Sequence, residues 1–249
     1  ETGLFIQACW SRGIKASQYE LNKLLLNARK SKKLGKVEGV KPYRVPRELM
    51  DQYELASEAA VRLLQDREHY TDQRWISLDD ILCDPKLGKQ FVEIASSLAP
   101  GFDAVDYRWA ALSVRKAINR RPKTDTELHA PQFTRIGSRD GIRASSVPRE
   151  AGFFWMKSHE MDFYVGHAGN LRDQIERLLD SDIDETLACY NTHSLFESGP
   201  LTYSIASAPS LGVTDRNPIK RLLVSELEPR LNITVHGGRA QSMNGVAVA

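Results

Sequence analysis

Cysteine is scarce in this chain. The 249 residues include three, Cys9, Cys83 and Cys189. An odd, widely spaced set without a CxxC pair argues against a disulfide framework and against a zinc site. A reducing cytosol is therefore the expected compartment, so the chain is read as cytoplasmic. Long apolar runs are also missing. None reaches the roughly 18 residues that a membrane-crossing helix needs, so no membrane association is expected. Charge of one sign is not in excess, with a net charge of +2. The field of the whole chain does not demand a nucleic-acid partner, and any such case rests on local patches. The start, Glu1-Thr2-Gly3-Leu4, has neither an initiator Met nor a signal-peptide pattern, as expected of a fragment or a processed chain. There is no Walker loop, GxGxxG turn, Ser-His-Asp elbow, internal repeat or low-complexity tract. His159, His167 and His193 lack HxH or HExxH spacing.

What is present is enough apolar material for a core, 41% of the residues. The first 120 residues read as an all-helical domain. Leu21, Leu24, Leu25 and Ala28 recur at helical spacing, and Ser17 with Glu20 fits a capping box. A second helix is predicted from about Pro46 to Gln65, with Leu49, Tyr53, Ala56, Ala59, Ala60 and Leu63 on its apolar face. Ser77 and Asp84 cap two further helices, and Asp103 to Asn119 forms another with Val105, Trp109, Leu112 and Ile118 inward. Residues 121–146 are rich in Arg, Pro, Thr and Ser and read as a linker.

From residue 147 the pattern changes. Phe153 to Lys157 and Met161 to Val165 look like paired strands around a Ser158-His159-Glu160 turn. A helix follows from Asn170 to Asp180, then a strand at Leu201 to Ala206. A helix capped by Asn217 runs to Leu227, and Arg230 to Val235 reads as a last short strand. The expected class is α+β, with an α+β domain over 147–236 and a tail at 237–249 that frays.

Gly152-Phe153-Phe154 and Tyr164-Val165-Gly166, with the His167-Ala168-Gly169-Asn170-Leu171 exit and the Pro229-to-Asn232 ending, resemble the GIY-YIG nuclease superfamily. The resemblance covers about residues 147–235. It implies a small three-stranded antiparallel sheet with flanking helices and Mg²⁺-dependent hydrolysis of DNA phosphodiesters. It also implies a first-motif Tyr as base, a second-motif Tyr, an Arg on the next helix and a metal-binding Glu on the later one. Carried over, the second Tyr is Tyr164 and the terminal Asn is Asn232. The first Tyr position holds Phe154, the Arg position Gln174 and the Glu position Lys220.

A lysine cannot ligate Mg²⁺, which takes oxygen ligands. Arg177, three residues past Gln174 and about 60° round the helix, can stand in for the Arg. His167, on the phosphate side of Gly166, can stand in as a base. For the carboxylate, Asp215, Glu226 and Glu197 are the candidates, and the metal site stays unassigned. The expected catalytic set is thus Tyr164, Arg177 and His167. Gly152, Phe154, Gly166, Asn170, Gln174, Lys220 and Asn232 are expected at the substrate.

Two functional classes stay open. One is a metal-dependent endonuclease acting on DNA. The other is a degenerate relative that binds nucleic acid or protein. Lys30, Lys32, Lys33, Lys36 and Arg44 form a basic stretch that can track a phosphate backbone, with Tyr43 among them to stack on a base. Helix-end solvation explains the same lysines. Arg115, Lys116, Arg120, Arg121 and Lys123 form a second such cluster. The helical half is the expected module for DNA or partner recognition.

Overall fold

A computed structural model of the chain describes residues 2–35, 45–72, 76–118, 130–158, 161–181, 183 and 200–234. Among these described residues seven helices come first: α1 (Thr2–Ser11), α2 (Gln18–Lys30), α3 (Arg47–Met50), α4 (Glu54–Asp72), α5 (Leu78–Cys83), α6 (Pro85–Leu98) and α7 (Ala104–Ile118). Their starts follow local chemistry. Ser17 and Ser77 each complete a capping box, with Glu20 and Asp80, and Asp84 caps the turn that Pro85 opens.

The predicted helix from Pro46 to Gln65 is broken. Asp51, Gln52 and Tyr53 form a turn between α3 and α4. Beyond that turn α4 is buried on all sides from Leu55 to Val61, with α6 and α7 packed against it. The inward face of α7 is Tyr107, Ala110, Ala111 and Val114, while Val105 is 50% exposed, contrary to its predicted inward placement. Alanines let α7 approach α4 closely, and their weak hydropathy hides that face from periodicity.

The described residues of the second half form a four-stranded antiparallel sheet in the order β1-β4-β2-β3. Its strands are β1 (Thr134–Ser138), β2 (Gly152–Ser158), β3 (Met161–Ala168) and β4 (Thr202–Ser207). Helix α8 (Leu171–Asp180) follows β3, and α9 (Val213–Leu227) follows β4. The three-stranded expectation is corrected here. β1 lies inside the stretch read as a linker, and it is an edge strand whose residues are exposed or half-buried. Its one apolar side chain, Ile136, packs against the core, and a single apolar residue leaves no alternation to read.

The last predicted strand, Arg230 to Val235, is not formed over residues 230–234. Arg230 and Leu231 donate backbone N–H bonds to Asp162 and Phe163 of β3, and Asn232 then pairs with the edge through its side chain instead. Helix α9 also begins earlier than expected, at Val213 after Gly212, so Asn217 and Pro218 lie inside it.

Alternation along β2 and β3 sends Phe153, Trp155 and Val165 toward α9, where they meet Ile219, Leu223 and Val224. Phe154, Met156 and Tyr164 face the other way, into a core shared with α4, α6 and α7. One core therefore runs from the helical half into the sheet. The 1–120 and 147–236 units read from sequence meet across it rather than at a linker. Among the described residues, no helix is long and apolar enough to cross a membrane. The Ser158-His159-Glu160 turn and the 237–249 tail fall on or run into residues outside those described.

Candidate functional site

Glycine makes the hairpin possible. Phe154 and Gly166 are partners across β2 and β3, and a Cβ on Gly166 would lie 2.2 Å from the Phe154 ring. A Cβ on Gly152 would lie 2.3 Å from the Ala206 carbonyl oxygen of β4. Both glycines, and Phe154 with its ring 5.8 Å from that of Tyr164, are thus packing elements of the sheet. Asn170 caps α8, its side-chain oxygen accepting from the backbone N–H groups of Arg172 and Asp173.

Tyr164 sits at the centre of a buried polar cluster. Its hydroxyl donates to Glu58 Oε1 at 2.8 Å and accepts from Lys220 Nζ at 3.1 Å. Lys220 also donates to Glu54 Oε1 at 2.6 Å and to Glu58. Glu54 and Glu58 stand one turn apart on α4, so their side chains share a face. Asn232, fully buried, closes the cluster. Its amide oxygen accepts from Val165 N at 2.9 Å, and its nitrogen donates to Val165 O at 3.0 Å and to Glu58 Oε2 at 3.3 Å. Ile233 N donates to Glu58 Oε2 at 2.9 Å.

Burial pushes the Glu58 carboxyl up, and the Lys220 ammonium pulls it back. Geometry decides between them. Four donors meet its two oxygens, which favours the carboxylate. Burial works against charge on Lys220, but Glu54 and Glu58 outweigh it and raise its pKa well above the ordinary lysine value. Burial, and then the Glu58 charge, raise the Tyr164 phenol, which remains neutral.

A second polar group lies beside the first. His167 Nε2 stands 3.3 Å from Asn217 Oδ1, and the Asn217 nitrogen donates to Val213 O at 2.8 Å. That bond orients the amide, so His167 donates from Nε2 and leaves Nδ1 as an acceptor. Nδ1 faces Asp51 Oδ1 at 3.8 Å, beyond hydrogen-bond reach, and neither atom has a hydrogen-bond partner. Two lone pairs facing each other favour a proton on Asp51. Burial, reinforced by Glu54, pushes Asp51 up to about 7. Burial lowers His167 to about 4, so it is neutral at pH 7. Gly169 N donates to Asp51 Oδ2 at 3.2 Å, and Arg216 Nη2 lies 3.7 Å from the same oxygen.

The predicted site residues thus divide. Tyr164, His167, Lys220 and Asn232 converge around α4 and the turn before it. Arg177 does not join them. It donates to Gln52 Oε1 at 2.7 Å and, with Gln174, lines a cleft of about 180 Å³ that includes Leu55, Leu98 and Phe102. Lys30 is exposed but pairs with Asp79 at 2.5 Å, and Lys32 and Lys33 are exposed beyond the end of α2. Lys36, Tyr43, Arg44, Arg120, Arg121, Lys123, Cys189, His193 and Glu197 lie outside the described residues.

Sequence reasoning missed Asp51, Glu54 and Glu58. The available signal was a pair of carboxylates one turn apart among the apolar residues Leu55, Ala56, Ala59, Ala60 and Val61, where charge is almost never buried without a partner. The donor set does not suit Mg²⁺. The carboxylates nearest Tyr164 are engaged by an ammonium, and a divalent cation there would meet like charge. Among the described residues, no group of three or more His, Cys, Asp or Glu could hold a metal ion.

Fold and site together define an α+β protein whose helical half contributes acidic side chains to a buried cluster on the edge of its sheet. No known protein family, curated protein or solved structure matches the chain.

Proposed function

We propose that this chain is a catalytically silent relative of the GIY-YIG nucleases that acts by binding nucleic acid without cutting it. One observation carries the reading. At the position where the resemblance calls for a metal-binding Glu, Lys220 places an ammonium between Glu54, Glu58 and Tyr164, and the group is buried. The resemblance itself is supported by the Phe154–Gly166 register and by the hairpin, helix, strand, helix order after residue 152. Binding is supported by the exposed Arg29, Lys30, Lys32 and Lys33 at and just beyond the end of α2.

Labelled duplex DNA is expected to bind at low salt and to lose affinity about tenfold or more between 50 and 200 mM. Lys32→Glu with Lys33→Glu is expected to weaken binding and flatten the salt slope. Plasmid incubated with Mg²⁺ or Mn²⁺ is expected to stay intact. Cleavage that Tyr164→Phe abolishes would overturn the reading.

A second reading, a protein-interaction module, is favoured by Leu4, Trp10, Ile14 and Leu24, which are between 47% and 74% exposed on α1, α2 and their connection. Absence of DNA binding at low salt would select it.

A further inference from the structure

The four groups that donate to Glu58 all come from one side. Tyr164 belongs to β3, Lys220 to α9, and Asn232 and Ile233 to the segment that follows α9. Their acceptor belongs to α4, more than 100 positions earlier in the chain, as the separation of 106 between Glu58 and Tyr164 records. Each carboxylate oxygen receives two donors. Oε1 takes the phenol and the ammonium, and Oε2 takes the Asn232 amide and the Ile233 backbone N–H. This matches a bidentate anion site, with the Lys220 ammonium, shared with Glu54, as its cation.

We infer that the sheet half carries a binding site for a small carboxylate, and that α4 fills it from within by presenting Glu58. The inference does not depend on any nucleic-acid role. It rests on donor geometry and on the near-complete burial of every group involved. Glu58 is 1% exposed, Tyr164 1%, Asn232 0% and Lys220 6%. With the carboxylate gone, the buried Tyr164 hydroxyl and the Ile233 N–H lose their acceptor, while Lys220 keeps Glu54 and Asn232 keeps Val165 O. An external carboxylate of the right size recovers those bonds.

The size is set by the substitution. Glu→Ala deletes a methylene and a carboxylate, and acetate has the same heavy atoms. Acetate is therefore the matched probe. Formate is one carbon short, and chloride has the charge without the shape.

The experiment uses the full chain carrying Glu58→Ala, unfolded thermally in sodium acetate or sodium chloride at equal ionic strength. Acetate is expected to raise the Tm of this variant saturably, by about 5 °C or more, through preferential binding to the folded state. Formate should do less. The native protein should respond alike to both salts, because its site is filled. Glu58→Ala combined with Lys220→Met should lose the acetate effect, since the counter-charge is gone. If Glu58→Ala does not fold in chloride, the same comparison is made as refolding yield, which acetate should raise at least severalfold. Equal responses of Glu58→Ala to acetate and chloride, in Tm or in yield, would overturn the inference. So would an acetate effect that survives Lys220→Met.

Discussion

Asp51 and His167 illustrate how two buried neighbours with opposite shifts conceal each other. Asp51 has its folded pKa raised from 3.8 to about 7, so its contribution to stability is present below about 4 and is lost as pH rises through 7. His167 has its folded pKa lowered from 6.5 to about 4, so its contribution is present above 6.5 and is lost as pH falls through 4. Between pH 4 and 6.5 the two slopes oppose. Relative to the native protein, Asp51→Asn should gain stability as pH rises from 4 to 7. His167→Asn should gain stability as pH falls from 6.5 to 4. Urea unfolding across that range reads both, with difference slopes of up to about 1.4 kcal/mol per pH unit. Flat differences would mean that neither group is held as described.

The same scale shows what a sequence can disclose. Lys220 was visible as a cation at a position where the resemblance wanted a carboxylate. Its partners were not, because Glu54 and Glu58 are distant in sequence and a helical pattern records spacing, not what a face will meet. Asp51 was hidden by the assumption that one helix ran through it.

At the scale of elements, the hairpin and α8 were legible because alternation, glycine spacing and the Asn170 cap agree. β1 was not, because an edge strand whose one apolar residue is Ile136 leaves no alternating pattern. The Arg230 to Ile233 segment misled for a related reason. Its apolar residues suit a strand, yet the edge of β3 is satisfied there by the Asn232 side chain.

Gly152 and Gly166 also act at this scale. Gly152→Ala would drive a Cβ into a backbone carbonyl, and Gly166→Ala into the rings of Phe154 and Tyr164. Each should destabilise by about 1–3 kcal/mol or more, as overpacking does. The backbone clash at Gly152 leaves less room for relief than the rings at Gly166. Chemical denaturation that finds either alanine variant as stable as the native protein would contradict the packing assigned to this hairpin.

The whole molecule is joined by α4. One face of that helix meets α6 and α7, and its acidic face reaches the sheet edge, where Arg62 also donates to Arg230 O at 3.0 Å and Asp66 pairs with Arg230 at 3.3 Å. Composition predicted helices first and strands later. It could not show that one helix of the first half supplies charges to the second, since that depends on how the core closes.

The central claim is that Glu58 and Lys220 form one buried unit across the two halves. A double-mutant cycle in urea unfolding with Glu58→Gln and Lys220→Met tests it most directly. Lys220→Met leaves Glu54 and Glu58 buried without their cation and should lose about 3–5 kcal/mol, whereas Glu58→Gln leaves Lys220 paired with Glu54 and should lose less. The double variant should lose clearly less than the sum of the two, with a coupling of about 1–3 kcal/mol. Strictly additive losses would contradict the account.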